Sequence, residues 1–379
     1  MSSDSQSYFS SLSWFRQERV ESAKVMVVGC GALGNEVLKN LALFGVGHIW
    51  IVDFYKVEIH NRNRSVLYRK ADAERRRLKV EAAVERLKEL NPNVDIHTIA
   101  GDFCHDVGLG LVMEMDVVIG CVDNRWTRFI INRFCMRAGK PWVDGGIDGL
   151  DGTARVFIPG KNCYACNLAN DSKDYLQKRL SFSTSIRRNE EAQHVPTTPV
   201  IASVIGAIQA QEVMKLLHPE QLESGELTSL CGRMFYYDGQ HATSTVLRFE
   251  AWDEECAEHE KFELSPKWSE KVNCQTILSE LVKDGISLRL IDFGFVDFVE
   301  DKESGETDYV MMPDYKVEAY LESSEKHRGK VLSRFYQHSY QVIDKHFPYL
   351  NLSIGELGFA EKDVIELDKN GEIIRFLLR

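Results

Sequence analysis

Residues 29–34 read GCGALG, a Gly-x-Gly-x-x-Gly turn, and Asp53 follows Gly34 by 19 residues. Gly29, Gly31 and Gly34 permit a tight turn that leaves amide groups at a helix start facing phosphate, while a carboxylate ending the next strand can accept ribose hydroxyls. The pattern alone does not distinguish a dinucleotide from ATP. A second constellation is of metal-ligand type. Cys163 and Cys166 are separated by two residues, as are Cys256 and His259. Two such pairs can make a closed tetrahedral Cys3His site, structural rather than catalytic.

The elements that must position these groups are legible as a pattern. The run KVMVV (24–28) stops at the glycine turn, a helical stripe of Val37, Leu38, Leu41 and Phe44 follows, and HIWIVD reads as a second strand ending in Asp53. Strand, Gly-rich turn, helix, strand is the unit that opens a parallel sheet. The next helix is expected to run through the basic stretch to KVEAAVERLKELNP, stopped by Asn91 and Pro92. Strands are predicted at VDIHTIA, MDVVIGCVD, PWVDGGI and TARVFIPG, the second ending in Asp123 and leading into a helix. Residues 167–195 read as a crossover loop, and a long helix from Pro199 to Leu217 carries Val200, Val204, Ile208, Val213 and Leu216 as its core stripe. RMFYYDG and STVLRFEAW read as further strands.

From about Ser265 the character changes. SLRLIDFGFVDFVED and DYVMMPDYKVEAYLE look like paired strands, KVLSRFYQHSYQVIDKHF like a helix, and DVIEL and EIIRFLLR like strands. Strand, strand, helix, strand is the order of a β-grasp domain. The segment holds 15 basic and 21 acidic residues, consistent with a separate acidic module.

Composition narrows the class. With 379 residues, 44% hydrophobic and 27% charged, the chain can bury a substantial core, which excludes disorder for most of it. No window approaches the roughly 18 consecutive apolar residues of a membrane span, and the start lacks a signal-peptide pattern, so a soluble, cytoplasmic protein is expected. Nine cysteines are too sparse for a disulfide framework. A net charge of -11 argues against nucleic acid or anionic membrane as a general partner.

The stretch after Asp53, VEIHNRNRSVLYRKADAERRRLKVEAAVERLKELNP, resembles the phosphate segment of the ThiF/MoeB superfamily, which adenylates ubiquitin-like proteins and includes the ubiquitin-activating enzymes and the sulfur-carrier activators of molybdopterin and thiamine biosynthesis. The resemblance implies that Asn61, Arg64 and Lys79 contact ATP phosphates, where cations stabilise charge moving onto pyrophosphate. Arg75, Arg76 and Arg77 read instead as a solvated face. IGCVDNRWTR resembles the family's Asp-Asn-x-x-x-Arg element, so Asp123 is assigned to magnesium, with Asn124 and Arg128 beside the nucleotide. NCYAC resembles half of the family's zinc knuckle, with Cys256 and His259 replacing its second Cys-x-x-Cys. HVPTTPVIASVIGAIQAQEVMKLL resembles the helix that closes the adenylation domain. The elements occur in the family's order over residues 14–260.

The implied organisation is a leader (1–21), a doubly wound, Rossmann-like, mostly parallel adenylation domain (22–262) and a β-grasp, ubiquitin-fold-like domain (265–379). The tail resembles the module with which activating enzymes engage a conjugating enzyme, in the manner of bacterial ubiquitin-like conjugation systems. The implied activity is ATP- and Mg2+-dependent adenylation of a ubiquitin-like protein by a homodimer carrying structural Zn2+, with transfer to a conjugating enzyme. A sulfur-carrier adenylyltransferase of cofactor biosynthesis and a non-catalytic scaffold subunit are the alternatives. An NAD oxidoreductase leaves the arginine, lysine and cysteine elements unexplained.

Departures from the family's pattern are specific. Tyr55 stands where a second acid is usual, and Ser65 replaces a Gln. Only Arg16 and Arg19 are available as the arginine that reaches a partner's site. No cysteine lies between Cys166 and Cys231, so the thioester nucleophile is missing from its usual place, where Ser181-Phe182 stands and Ser183 and Ser185 offer only hydroxyls. Cys231 and Cys274 remain as candidates.

Overall fold

In the computed structural model the described residues are 9, 11–168, 197–249, 252–265 and 272–379. The predicted crossover loop, with Ser181, Phe182, Ser183 and Ser185, lies outside them apart from residues 167 and 168. The chain divides into two compact units, with the boundary at Lys261/Phe262.

The first unit is built on an eight-stranded sheet, β3-β2-β1-β4-β5-β6-β7-β8. Its strands are β1 Lys24–Val28, β2 His48–Val52, β3 Asp95–Ile99, β4 Val117–Gly120, β5 Trp142–Asp148, β6 Asp151–Phe157, β7 Arg233–Asp238 and β8 Thr243–Arg248. β1 to β5 pair in parallel, and β5 to β8 pair antiparallel. Val25, Val27, Ile49, Ile51, Val117 and Ile119 are buried in one core with the Ala32–Phe44 helix, and Met26, Val28 and Val118 are buried on the other face, which is why β1 and β4 read as continuous apolar runs. Phe15 joins this core and the Gln17–Ser22 helix follows, so part of the expected leader packs into the first unit. The strand order reverses between β1 and β4, which creates a crevice at the carboxyl ends of the two strands.

Two helices depart from expectation. The basic stretch is broken: a 3-10 turn covers Ile59–Asn63, and helices cover Lys70–Glu74 and Lys79–Leu90. Arg76 adopts φ +48°, and the Val57 amide donates to the Arg77 carbonyl, so a short extended crossing replaces continuous helix. The Pro199–Leu216 helix forms as predicted, capped by Thr198, but Val200 is 64% exposed. Val204, Ile208 and Leu216 pack partly buried against the core and Val213 is fully buried, as expected, while Ile201, Ile205, Gln209 and Met214 are buried too, because the helix is apolar around most of its circumference.

The second unit contains two antiparallel sheets, β11-β10-β12 and β13-β9-β14-β15. Their strands are β9 Ile286–Arg289, β10 Phe295–Asp301, β11 Thr307–Pro313, β12 Phe335–Tyr340, β13 Val342–Ile343, β14 Val364–Lys369 and β15 Glu372–Leu377. Leu288, Phe295, Ile343, Leu367 and Phe376 are buried together. The order strand, strand, helix, strand is present as β10, β11, the Asp314–Ser323 helix and β12. The helix is not where it was expected. Segment 330–347 forms β12 and β13, because its aromatic residues pair with β10, Asp301 opposite Phe335 and Phe295 opposite Tyr340. The helix instead begins after Pro313, which fixes φ for the entry, and buries Val317 and Leu321 one turn apart.

Candidate functional site

The glycine loop joins β1 to the Ala32–Phe44 helix at the switch point. Gly29 has φ +94°, and a Cβ on Gly34 would lie 2.0 Å from the Gly29 carbonyl oxygen, so both positions exclude side chains. A Cβ on Gly31 would meet nothing within 4 Å, which leaves open space over the helix N-terminus. Asn35 Nδ2 donates to the carbonyls of Cys30 and Gly31 at 2.9 Å each, its Oδ1 accepts from the Leu67 amide, and the Tyr68 hydroxyl donates to the Cys30 carbonyl. Sequence reading did not single out Asn35 or Tyr68, since neither belongs to a spaced motif.

Asp53 immediately follows β2 and is buried. Its Oδ2 accepts from the Cys30 amide at 2.7 Å and its Oδ1 from the Tyr55 amide at 2.8 Å. Each carboxylate oxygen retains a further lone pair for a ligand hydroxyl. Burial raises the Asp53 carboxyl above its ordinary value, Lys79 and the two amides pull it down, and Asp123 pushes it up again. These charges therefore act on one another across the carboxyl ends of β1, β2 and β4. Lys79 is held there because its amide donates to the Tyr55 carbonyl and the neighbouring Leu78 bridges Lys56, placing the ammonium over the Tyr55 ring.

Asp123 is exposed just beyond β4. Asn124 caps the Arg125–Ala138 helix by accepting from the Thr127 amide at 2.8 Å. Arg128 points into the protein: Nε donates to Asp144 at 3.0 Å, and an Nη donates to the carbonyls of Val122 and Gly145. Asp144 is fully buried between Arg128 and Arg155, and Gln209 donates to the Gly120 carbonyl. Arg128 therefore braces the strand end that carries Asp123. Asn61 Oδ1 accepts from the Glu58 amide, and Arg64 donates to the His60 carbonyl and to Asn63 Oδ1, so the local turn orients both.

Cys163, Cys166, Cys256 and His259 converge, with their donor atoms all within 4.8 Å of one another. Cys166 Sγ lies 3.2 Å from His259 Nε2, Asn132 donates to Cys163 Sγ at 3.3 Å, and Trp252 stacks on His259 at 3.5 Å. The buried, bidentate Arg133–Glu258 pair ties the two halves together nearby. The contact with Cys256 and burial raise the Cys163 thiol, and the same contact lowers Cys256 to about 6. Three sulfurs and one imidazole in a closed, partly buried set suit a tetrahedral ion.

Four of the other cysteines are poor candidates for an activated thiol. Burial raises Cys30 to about 12 and also raises Cys121, Cys135 and Cys274. Cys231 Sγ lies 3.4 Å from Asn162 Oδ1. Arg19 makes a two-pronged pair with Glu220, and Arg16 donates to the carbonyls of Ser13 and Phe15.

A doubly wound sheet with a glycine loop and a carboxylate at its switch point defines a Rossmann-like α/β protein. The chain belongs to the ThiF family, whose model matches residues 4–258. It is 31% identical over 236 residues to the SAMP-activating enzyme E1 of Haloferax volcanii, covering 60% of this chain and 77% of that protein. Over 223 residues it is 29% identical to the molybdopterin-synthase adenylyltransferase of Haemophilus influenzae, covering 59% of this chain and 84% of the relative. It is also 29% identical to the adenylyltransferase and sulfurtransferase MOCS3-1 of Zea mays over 63% of this chain, and spans about half of that relative's length, 47%. Among solved structures, the microcin C7 biosynthetic enzyme MccB in complex with N-formylated MccA shares the fold. The TM-score is 0.52 at 22% identity, covering 64% of this chain and 69% of that one. Among the described residues, no helix is long and apolar enough to cross a membrane.

Proposed function

We propose that the protein is an ATP-dependent adenylyltransferase that activates the C-terminal carboxylate of a ubiquitin-like protein and hands it toward a conjugating enzyme. The observation that carries this reading is the meeting of the Gly29–Gly34 loop, Asp53, Lys79 and Asp123 at one switch point in a ThiF-family chain. The carrier's carboxylate oxygen bonds to the α-phosphorus of ATP as the bond to the bridging oxygen breaks, and pyrophosphate leaves with the displaced charge. The loop amides and the helix N-terminus hold phosphate, and Asp53 accepts the ribose hydroxyls. Lys79, with Arg64 and Asn61 from their loop, stabilises the triphosphate as charge builds on the leaving group.

Asp123 offers an exposed hard oxygen donor that suits Mg2+, which would supply charge neutralisation on the phosphates. The Cys3His set suits Zn2+ in a structural role. The second unit, read as a β-grasp module from its element order, would engage the conjugating enzyme, and a homodimer is the expected assembly.

Carrier-dependent exchange of labelled pyrophosphate into ATP, abolished by Asp123→Ala, tests the enzyme reading against a scaffold role; no exchange with any ubiquitin-like carrier would overturn it. A sulfur-carrier adenylyltransferase is the second reading, favoured by the names of the H. influenzae and Z. mays relatives. Retention of a conjugating enzyme by the full chain, lost when surface residues of the second unit are changed, separates the two.

A further inference from the structure

At the outer edge of the large sheet a second cluster of donors lies apart from the switch point. His48 on β2 pairs in register with Asp95 on β3, and Trp50 pairs with His97. Residues two apart on a strand, and directly opposite residues on neighbouring strands, share one face. His48, Asp95 and His97 therefore project together from the side opposite the buried Ile49 and Ile51. Asp95 Oδ2 lies 3.3 Å from His48 Nδ1 and 3.0 Å from His97 Nε2, and all three donor atoms are within 4.8 Å of one another. The side chains are 39%, 54% and 44% exposed for His48, Asp95 and His97.

From this geometry we propose a second metal site, in which His48 Nδ1, Asp95 Oδ2 and His97 Nε2 bind a divalent ion of the zinc type on the solvent face of the sheet edge. Ligands about 2.0–2.2 Å from a tetrahedral ion are roughly 3.3–3.6 Å apart, so the two short separations seen here need only small side-chain adjustments. Two imidazoles and one carboxylate suit zinc, copper or nickel better than magnesium or calcium, which prefer all-oxygen shells. The donors are also preorganised. Both strands belong to one continuous ladder, and Trp50 stacks on His97 with ring centroids 4.3 Å apart and an interplanar angle of 15°. Three protein ligands leave the remaining position facing solvent, open to water or to a donor atom from another molecule. The Cys3His cluster differs in kind, being closed and thiolate-rich.

The test is zinc uptake by the full chain at free zinc that saturates the Cys3His cluster, comparing wild type with His48→Ala/His97→Ala. Wild type is expected to hold one equivalent more than the double variant, and Asp95→Asn is expected to weaken that extra equivalent by about tenfold or more. The equivalent held by the cysteines serves as the control that the double variant is folded; should it be lost too, the isosteric Asp95→Asn variant decides. Equal uptake by wild type and the double variant would overturn the site. So would an extra equivalent bound with unchanged affinity by Asp95→Asn, since that would be adventitious binding to exposed histidines.

Discussion

The Lys79 ammonium stands 4.9 Å from the centroid of the Tyr55 ring, two residues after the buried Asp53. Tyr55 stands where the family resemblance implies a second acid, and its aromatic face holds the lysine beside the switch point. A cation over an exposed ring is worth about 0.5–1 kcal/mol. Tyr55→Ala is therefore expected to raise the KM for ATP roughly two- to fivefold, with Tyr55→Phe near wild type. Lys79→Ala, which removes the charge itself, should lower pyrophosphate exchange by about 10²-fold or more.

Asp123 and Asn124 are neighbours with different expected phenotypes. Asp123 is exposed, so Asp123→Ala should leave stability within about 0.5 kcal/mol of wild type while abolishing exchange. Asn124 caps a helix, so Asn124→Ala should cost about 1 kcal/mol in urea unfolding. A large stability loss in Asp123→Ala would contradict its assignment as a ligand-facing group.

Gly31 and Gly34 offer a second contrast. An alanine at 34 must displace the Gly29 carbonyl, and the variant should be measurably destabilised with the loop distorted. An alanine at 31 meets no protein atom, so its cost is that of a weaker cap, at most about 1 kcal/mol, while its methyl intrudes on phosphate space. Calorimetric titration with ATP should show binding lost in Gly31→Ala at near-native melting temperature.

Asp144 is the buried counter-ion of Arg128 and Arg155. Burial alone would raise its carboxyl, but the two guanidiniums outweigh burial and hold it below the ordinary 3.8. Because the folded value is depressed, its contribution is present above the unfolded value and is lost as pH falls through the folded one. Acid should therefore erode wild-type stability below about pH 4. Asp144→Ala strands two buried cations, with an expected loss of about 3–5 kcal/mol near neutral pH. Urea midpoints measured against pH check both statements.

The Cys3His cluster predicts close to one equivalent of zinc per purified chain, with Cys256→Ser losing the metal and lowering the melting temperature. Less than half an equivalent in wild type would remove the zinc assignment.

What was legible in the sequence was whatever repeats at short range. The glycine turn, Asp53 and the apolar runs of β1, β2 and β4 are local patterns, and the two cysteine-type pairs announce themselves by spacing. The break at Arg76 was not legible, because it depends on a hydrogen bond between Val57 and Arg77 across the turn. Segment 330–347 reads as a helix because charged and aromatic residues there satisfy a helical period as well as an alternating one, and only pairing with β10 decides. Asn35, Tyr68, Asp144 and Gln209 brace the site through partners distant in sequence, so no spacing marked them. The resemblance places Arg128 beside the nucleotide, whereas its contacts turn it toward Asp144 and the strand ends beneath Asp123.

The four convergent donors also set an order of events as the chain is made. Cys166 and His259 are 93 positions apart. At about 5–20 residues per second, the first pair leaves the ribosome roughly 5–20 s before the second. Until then two thiols wait without their partners, next to a sheet that still lacks β7 and β8. The last strands of the sheet and the last two donors of the Cys3His set emerge together, so both the sheet and the four-donor cluster can be completed only late in synthesis.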